Sequence, residues 1–278
     1  MKIRFVNVSY YYQNYMPEPD IALNDINIEI SKNEFIGIVG PSGSGKTTLV
    51  QHFTGLLQPS EGKVFIDDDD ISKVDFDIHS LRRRIGIVFQ FPESQLFEET
   101  VYDDVAFGPK NFGLNEEEID SRIRETLQLV DLDFEKMKLR SPFKLSEGEK
   151  RRVALAGVIS MNPEMFILDE PTACLDASGI RKIEKLLSNL HRLGKSIVLV
   201  SHNLDFIVKL CKRVIVIDGG KIIFDGQKDK LFSDVAILEK AGLDTPRLMR
   251  YVLKLKELEY IEKANVYSIE QLKRLISV

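Results

Sequence analysis

The chain has 278 residues, a length that fits one large domain or two smaller ones. Apolar residues make up 44% and charged residues 29%, as in ordinary globular proteins. The apolar runs are of strand length and far shorter than the roughly 20 residues of a membrane-spanning helix, and the first residues lack the apolar core of a signal peptide. The net charge of −5 argues against broad nucleic-acid binding.

Strand-like apolar runs alternate with helical patterns, which predicts an α/β fold. Lys2–Val8 and Ile26–Ile30 alternate apolar and polar residues, as half-buried antiparallel strands do. Phe35–Val39 is continuously apolar, as expected for a strand that is buried on both faces. Further strands are predicted at Lys63–Ile66, Ile85–Phe89, Met165–Leu168, Ser196–Val200, Arg213–Ile217 and Lys221–Phe224.

A run of four aspartates, Asp67–Asp70, follows one of these strands. Metal ligands are usually spaced along the chain, whereas these residues are adjacent, and turns favour aspartate. We therefore expect a turn here. Cys174 and Cys211 also lack metal-ligand spacing, and we expect both to be buried thiols of a reducing cytoplasm.

Two regions have helical patterns. One spans about residues 92–160 and includes Asn115 followed by three glutamates, which predicts a helix N-cap with acids in the first turn. The other spans residues 226–278, which we expect to be a helical C-terminal extension of a domain that spans residues 1–225. There Thr245 and Pro246 predict an N-cap and first helical residue, and Ser268 with Gln271 predicts a capping box.

The strongest motif is GPSGSGKTT, which directly follows the strand Phe35–Val39 and precedes the helical pattern TTLVQHFTGLL. It fits the phosphate-binding P-loop, or Walker A motif, in the structural context that this motif requires. The glycines let the backbone N–H groups face phosphate oxygens, and the helix N-terminus adds its dipole. We expect Lys46 to reach the β- and γ-phosphates and the Thr47 hydroxyl to hold Mg²⁺. The candidate nucleotide-binding residues are Gly40, Pro41, Ser42, Gly43, Ser44, Gly45, Lys46, Thr47 and Thr48.

Three other predicted strands end in polar residues. FILDEP places Asp169 and Glu170 after a strand, where Asp169 suits Mg²⁺ as in a Walker B strand and Glu170 can polarise an attacking water. Gln90 and His202 follow two further strands. Ligands of open α/β sheets bind at the carboxyl ends of the strands. We therefore expect these residues and the P-loop to serve one triphosphate.

The order of these motifs resembles an ABC-type ATPase over about residues 2–240. The resemblance implies an α/β fold in which an ATP-binding core with a mixed sheet carries an antiparallel β subdomain and a helical subdomain. It also implies two ATPase subunits facing head to tail, with each ATP between one P-loop and the partner's signature loop. By position, Gln90 would sense Mg²⁺ and couple to the transport partner, Glu170 would be the general base, and His202 would contact the γ-phosphate. Ala173–Asp176 resembles the loop that crosses the dimer interface. Tyr12 aligns with the aromatic that stacks on adenine, with Tyr10, Tyr11 and Tyr15 left as alternatives.

The stretch from Phe91 to Leu114, together with the helical tail, is similar to the ATPases of energy-coupling factor importers, which take up vitamins and transition-metal ions. That resemblance implies a peripheral position on the cytoplasmic face of the membrane. It also implies that the tail, residues 226–278, helps to hold the two ATPases together as a dimer contact. It also implies a second ABC ATPase, a transmembrane coupling protein and a substrate-capturing membrane protein as partners. The alternatives are an ATPase of another ABC importer class and a non-transport ABC protein that acts on DNA or ribosomes. A P-loop kinase explains neither the signature loop nor His202.

The stretch LSEGE, Leu145–Glu149, stands where the resemblance places the signature LSGGQ. Ser146 and Gly148 are retained and would face the partner's γ-phosphate, whereas glutamates replace a glycine and a glutamine. Ser146 and Glu149 also form a predicted capping box. A carboxylate at Glu147 weakens phosphate binding unless it points away or pairs with a base such as Lys150 or Arg151. We therefore expect a heterodimer in which the site completed by LSEGE is the weaker one.

Overall fold

The computed structural model describes residues 1–12, 20–173, 175–233, 235–261 and 266–276. Tyr15 and Cys174 lie outside the described residues. The chain divides into two compact units, one formed by Lys2–Phe76 with the chain from Val198 onward, and the other by Met1 with Asp77–Ile197. We call them the P-loop unit and the signature unit, after the motifs that they carry.

The strands, in chain order, are β1 (Ile3–Tyr12), β2 (Asp20–Ile30), β3 (Phe35–Val39), β4 (Glu61–Ile66), β5 (Asp69–Asp70), β6 (Ile85–Val88), β7 (Met165–Asp169), β8 (Ser196–Val200), β9 (Arg213–Asp218) and β10 (Lys221–Gln227). The helices are α1 (Lys46–Phe53), α2 (Ile78–Arg84), α3 (Val101–Asn111), α4 (Glu116–Leu129), α5 (Phe134–Met137), α6 (Glu147–Ser160), α7 (Ala177–Arg192), α8 (Leu204–Leu210), α9 (Lys228–Ser233), α10 (Val235–Lys240), α11 (Arg247–Glu257) and α12 (Ile269–Ile276). Every predicted strand is present, and Ser196–Val200 has the predicted bounds.

An antiparallel sheet in the P-loop unit has the order β2-β1-β4-β5. Its first two strands are longer than predicted, because pairing continues through Tyr10↔Leu23 and Tyr12↔Asp20 across register shifts that break the apolar–polar alternation. The turn predicted for the four aspartates is formed by Asp67 and Asp68, and Asp67 has a left-handed φ of 55°. Asp69 and Asp70 then pair with β4 as the short strand β5, which the sequence did not predict.

A mixed sheet in the same unit has the order β10-β9-β3-β8. The central strand β3 is buried at all five positions and runs parallel to β9, whereas β10 is antiparallel to β9. The helix after the P-loop, α1, is shorter than its apolar pattern predicts. It ends at Phe53 because Gly55 follows with a φ of 64°, the left-handed conformation that commonly terminates helices.

The signature unit contains the parallel pair β6 and β7 and the helices α2–α7. Helix α6 packs against α3 and α4. The prediction at Asn115 is confirmed, because its side chain accepts from the Glu118 N–H and the Glu118 carboxylate accepts from the Asn115 N–H.

The C-terminal extension contains α9–α12, and both of its predicted helix starts need correction. The helix predicted at Thr245 begins at Arg247, with Pro246 as its N-cap. Its first N–H donates instead to the Asp205 carboxylate at 2.8 Å, so a side chain from α8 replaces the local cap. At the other start, Ser268 Oγ accepts from the Gln271 N–H, but the Gln271 side chain accepts from the Tyr267 N–H, so only half of the capping box forms. Within the described parts of the chain, no helix combines the length and apolar character needed to cross a membrane.

Candidate nucleotide site and signature loop

The P-loop begins where the buried strand β3 ends, and two of its glycines are required by close backbone approach. A Cβ at Gly40 would collide with the carbonyl oxygen of Ile217, and a Cβ at Gly45 would collide with that of Ala22. Gly45 also has a φ of 102°, which residues other than glycine rarely adopt. A side chain at either position would displace the neighbouring backbone, so the shape of the loop depends on glycine at both.

Lys46 is the first residue of α1 and holds the loop closed. Its Nζ donates to the carbonyl oxygens of Gly40 and Pro41 at 2.9 and 2.7 Å, and lies 3.4 Å from Ser44 Oγ. The N-cap, Gly45, has no side chain that could cap the helix. The N–H groups and positive dipole end of α1 are therefore available to an anion, as in other phosphate-binding helices.

Tyr12 and His202 are the other predicted site residues of the P-loop unit. The Tyr12 hydroxyl lies 3.1 Å from Thr48 Oγ1 in α1, and its ring is edge-on to Tyr10, with 5.0 Å between the centroids. Tyr12 thus lies beside the P-loop helix, as an adenine-stacking residue requires. The Ser201 N–H donates to the Ile38 carbonyl oxygen, which brings the end of β8, and His202 after it, to the same sheet edge as Gly40.

Gln90, Asp169 and Glu170 lie in the signature unit, at the carboxyl ends of two neighbouring strands. Val88 of β6 is in register with Leu168 of β7 in a parallel pair, and Gln90 and Glu170 each come two residues after this paired position. Asp169 and Glu170 are both buried. Glu170 has a left-handed φ of 48°, a strained conformation that recurs at functional sites. Its carbonyl accepts from the Ala173 N–H and closes a turn.

The signature loop caps helix α6 with its own side chains. Glu149 Oε2 accepts from the Ser146 N–H at 2.9 Å and from the Ser146 hydroxyl at 2.8 Å, so the predicted capping box is confirmed. These hydrogen bonds from Ser146 lower the pKa of the Glu149 carboxyl, which is therefore ionised at neutral pH and can only accept. In this arrangement the Ser146 hydroxyl donates to Glu149, and it must turn away from that carboxylate to donate to a phosphate oxygen.

Glu147 and Gly148 differ in what fixes them. The Glu147 carboxylate is paired with Lys150 Nζ at 2.8 Å, so the first of the two bases considered from the sequence is its partner. Arg151, the second base, donates to two backbone carbonyl oxygens instead. At Gly148, an added Cβ would meet no atom of the described chain within 4 Å. Gly148, Arg151, Leu175 and Asp176 line a shared cavity of about 220 Å³.

Arg151 has contacts that sequence reasoning missed, because the sequence suggested it only as a partner for Glu147. It is buried, and its guanidinium donates to the carbonyl oxygens of Gln90 and Ala173. Its helical spacing from the buried residues Leu155 and Ile159 is the signal that places it on the inner face of α6. Its two acceptors are backbone atoms distant in sequence, and no residue pattern indicates them.

The predicted residues also fit Mg²⁺ chemistry. The hydroxyl of Thr47, the amide oxygen of Gln90 and the carboxylate of Asp169 are oxygen ligands, which Mg²⁺ prefers. Within the part of the chain that the structure describes, no group of three or more His, Cys, Asp or Glu could hold a metal ion by itself. Mg²⁺ in nucleotide sites usually binds through one or two carboxylates together with substrate phosphates and water.

Residues 23–173, more than half of the chain, match the family model described as ABC transporter. The energy-coupling factor transporter ATP-binding protein EcfA2 of Clostridium tetani is 46% identical over 99% of this chain and 96% of its own length. The chain belongs to the ABC transporter family, as an ATPase of the energy-coupling factor type. EcfA2 of Clostridioides difficile is 44% identical to this ABC ATPase, over 99% of this chain and 96% of its own length.

Solved structures agree. The structure of CbiO1 from Clostridium perfringens, described as part of the ABC transporter complex CbiONQ, has a TM-score of 0.74 at 38% identity and covers 88% of this ABC ATPase and 96% of its own chain. A dimeric ATP-binding cassette bound to ADP and Pi has a TM-score of 0.73 at 32% identity, covering 81% and 98%. The predicted fold class, an α/β ABC ATPase core, is therefore confirmed.

Proposed function

We propose that this ABC ATPase binds ATP with Mg²⁺ through the P-loop and hydrolyses it to power a membrane importer. The observation that carries the proposal is the P-loop itself. Close backbone approach excludes any residue but glycine at Gly40 and Gly45, and the Lys46 ammonium group is held by carbonyl oxygens of the loop. Tyr12 stacks on the adenine, and residues 40–48 hold the phosphates. Ser146 and Gly148 serve the partner's nucleotide.

The chemistry follows from the residues at the strand ends. Lys46 offsets the negative charge on the phosphoryl group, and the Glu170 carboxylate orients the attacking water. His202 contacts the γ-phosphate oxygens. Thr47, Asp169 and Gln90 would hold Mg²⁺, which would neutralise the developing charge when bound. The left-handed backbone of Glu170 fixes the direction of its side chain before the substrate arrives.

The experiment is Glu170→Gln, which keeps the shape of the side chain and removes the proton acceptor. We expect ATP affinity to stay close to that of the unsubstituted protein, while turnover falls by about 10²- to 10⁴-fold, the usual contribution of a general base. The matched control is Glu117→Gln on the exposed face of α4, which should leave both quantities unchanged. Normal steady-state ATPase in Glu170→Gln would refute the assignment.

We further propose partners and a location. The ATPase acts on the cytoplasmic face of the membrane with a second ABC ATPase, a transmembrane coupling protein and a substrate-capturing protein for vitamins or transition-metal ions. The names of the relatives and the dimeric cassettes support this. In the signature unit, Phe97 and Phe107 stack edge-on and are 57% and 44% exposed, as aromatic anchors of a docking surface are. Isolation of the native complex tests the proposal, and a chain that co-purifies only with nucleic acid would defeat it.

The second ATPase is a different chain, and the two ATP sites are unequal. In this chain's signature loop the Ser146 hydroxyl donates to Glu149. Glu147 is paired with Lys150, but its side chain is 73% exposed, where an ion pair offsets little of the charge, so the site completed by LSEGE is the weaker one. The site that uses Lys46, Glu170 and His202 depends on the partner's signature loop instead. Glu147→Gly should raise hydrolysis at the LSEGE site alone. If hydrolysis at both sites is unchanged, the proposed asymmetry is wrong.

A further inference from the structure

Arg151 connects three segments of the signature unit. It lies on α6, five residues after Ser146, and only 7% of its surface is exposed. One terminal nitrogen donates to the Ala173 carbonyl oxygen at 2.5 Å, and the other donates to the Gln90 carbonyl oxygen at 2.9 Å. Its Nε has no hydrogen-bond partner among the described residues. One side chain therefore joins the signature helix, the loop after β6 and the loop after β7.

This arrangement is unfavourable for stability alone. A buried guanidinium carries a full charge, and two neutral carbonyl oxygens with an unpaired Nε compensate it incompletely. An apolar side chain of similar length would fill the same space without that desolvation. The planar fork of arginine, however, can donate to two acceptors at a fixed angle, which a lysine ammonium on its flexible stem cannot do. The geometry of the two contacts is what arginine supplies here.

Both acceptors belong to loops that carry proposed site residues. Gln90 itself contributes the first carbonyl. The second belongs to Ala173, whose N–H donates to the Glu170 carbonyl oxygen and closes the turn that begins at Glu170. Since Glu170 has a strained left-handed backbone, the surrounding contacts must hold it in place. Arg151 anchors the far end of that turn.

On the basis of the proposed function, we infer that Arg151 is a positioning residue that sets the Gln90 loop and the Glu170 turn in register with the signature helix. This role needs no contact between Arg151 and ATP or the attacking water. It acts by fixing the backbone from which Gln90 and Glu170 project, and through α6 it ties this chain's hydrolytic residues to the loop that serves the partner's nucleotide. Its loss should lower the rate of hydrolysis without weakening the binding of ATP.

The test compares Arg151→Met, Arg151→Lys and Arg151→Gln in the assembled transporter complex, with Arg124→Met as the matched control. Arg124 also makes two side-chain hydrogen bonds in this unit, to Asp120 and Glu135 on the surface. For Arg151→Met we expect kcat to fall by about 10- to 100-fold, as when groups of a hydrolytic site lose their alignment. ATP affinity should change by less than about twofold, because only a step beyond binding is affected. Arg151→Lys should not restore kcat, since it keeps the charge but not the fork.

A second readout reports on the loop directly. Amide hydrogen exchange in peptides that cover residues 170–173 should be faster in Arg151→Met than in the unsubstituted chain, while exchange at Asn162, whose N–H donates to Ile159, should not change. Unaltered kcat in Arg151→Met overturns the inference, as does full kcat in Arg151→Lys or unaltered exchange over residues 170–173. If Arg151→Met does not fold, Arg151→Lys and Arg151→Gln carry the same test. Failure of the proposed function is a different result, an unsubstituted complex that does not hydrolyse ATP.

Discussion

The P-loop and the signature loop are both short glycine-containing turns that lead into a helix, yet they are constrained in opposite ways. At Gly40 and Gly45, a Cβ would collide with backbone atoms of the same chain. At Gly148, it would meet no described atom within 4 Å. The P-loop glycines are thus required by the fold of this chain, whereas the described chain leaves room for a side chain at Gly148.

The side chains show the same contrast. In the P-loop, Lys46 Nζ donates to the carbonyl oxygens of Gly40 and Pro41 and lies 3.4 Å from Ser44 Oγ. The motif also matches its family pattern at every required position. In the signature loop, Glu149 takes the Ser146 proton and Glu147 pairs with Lys150. In the proposed dimer, this chain supplies the P-loop half of one ATP site and a modified signature half of the other. Substitutions at the two loops should separate stability from activity.

The largest effect is expected for Gly45→Ala. The new Cβ must displace the Ala22 carbonyl group, and the alanine backbone must adopt a φ of 102°. We therefore expect a loss of about 3 kcal/mol or more in the free energy of unfolding. Urea denaturation of the purified chain measures it. Gly43→Ala is the control, because Gly43 has a φ of 78° but open space around its Cβ position. If both variants lose the same stability, backbone overlap is not what selects glycine at Gly45.

Gly148→Ala should behave in the opposite way. Alanine is favoured over glycine in a helix by about 1 kcal/mol, and the first turn of α6 has room for it, so the chain should be as stable as before or more so. In the assembled complex, however, the methyl group would stand where the partner's nucleotide approaches, and ATPase activity should fall. Urea denaturation and steady-state hydrolysis together test this. Full ATPase activity in the complex would show that Gly148 does not lie close to the partner's nucleotide.

The sequence predicted the P-loop better than the signature loop, and the reason is physical. The GPSGSGKTT motif depends on contacts within a few residues and on the strand before it, both readable from the chain. Arg151 depends on carbonyl oxygens 61 and 22 residues away, and no local pattern specifies them. The wrong helix start at Thr245 has the same origin, because Asp205, 42 residues distant, supplies the acceptor. In both cases the hydrogen-bond acceptor is distant in sequence, and the residues around the donor carry no sign of it.

A smaller effect is expected for Glu149→Gln, which restores the usual residue of the signature. The amide can still accept from the Ser146 N–H, but it is a weaker acceptor than a carboxylate for the Ser146 hydroxyl. The Ser146 proton is then freer to turn toward a phosphate. We expect hydrolysis at the site completed by this loop to rise, with a stability loss within about 1 kcal/mol, as for a weakened N-cap. Steady-state ATPase of a complex that carries Glu170→Gln in this chain isolates that site. An unchanged rate would place the limitation at Glu147.

The smallest predicted effect is a difference between the two loops in the pH dependence of their contribution to stability. On the P-loop side, His52 is fully buried in α1, with its Nδ1 2.7 Å from the Thr48 carbonyl oxygen, and burial lowers its pKa below 6.5. Because the folded pKa is the lower one, the stability that the neutral ring contributes is complete above pH 6.5 and is lost as the pH falls through the folded pKa. On the signature side, the pKa of Glu149 is lowered from 4.5, so its contribution is lost only below about that pH.

Between pH 7 and pH 5, therefore, the P-loop side alone should weaken. We expect the Tm of the chain to fall over this range, and His52→Asn, whose amide can still donate to the Thr48 carbonyl, should reduce the fall. His79→Asn is the matched control, because His79 is exposed and should leave the pH dependence as it is. A pH profile of Tm that is the same in His52→Asn and in the unsubstituted chain would mean that the buried ring does not govern the acid sensitivity. The difference between the two loops would then rest on glycine sterics and hydrogen bonding alone.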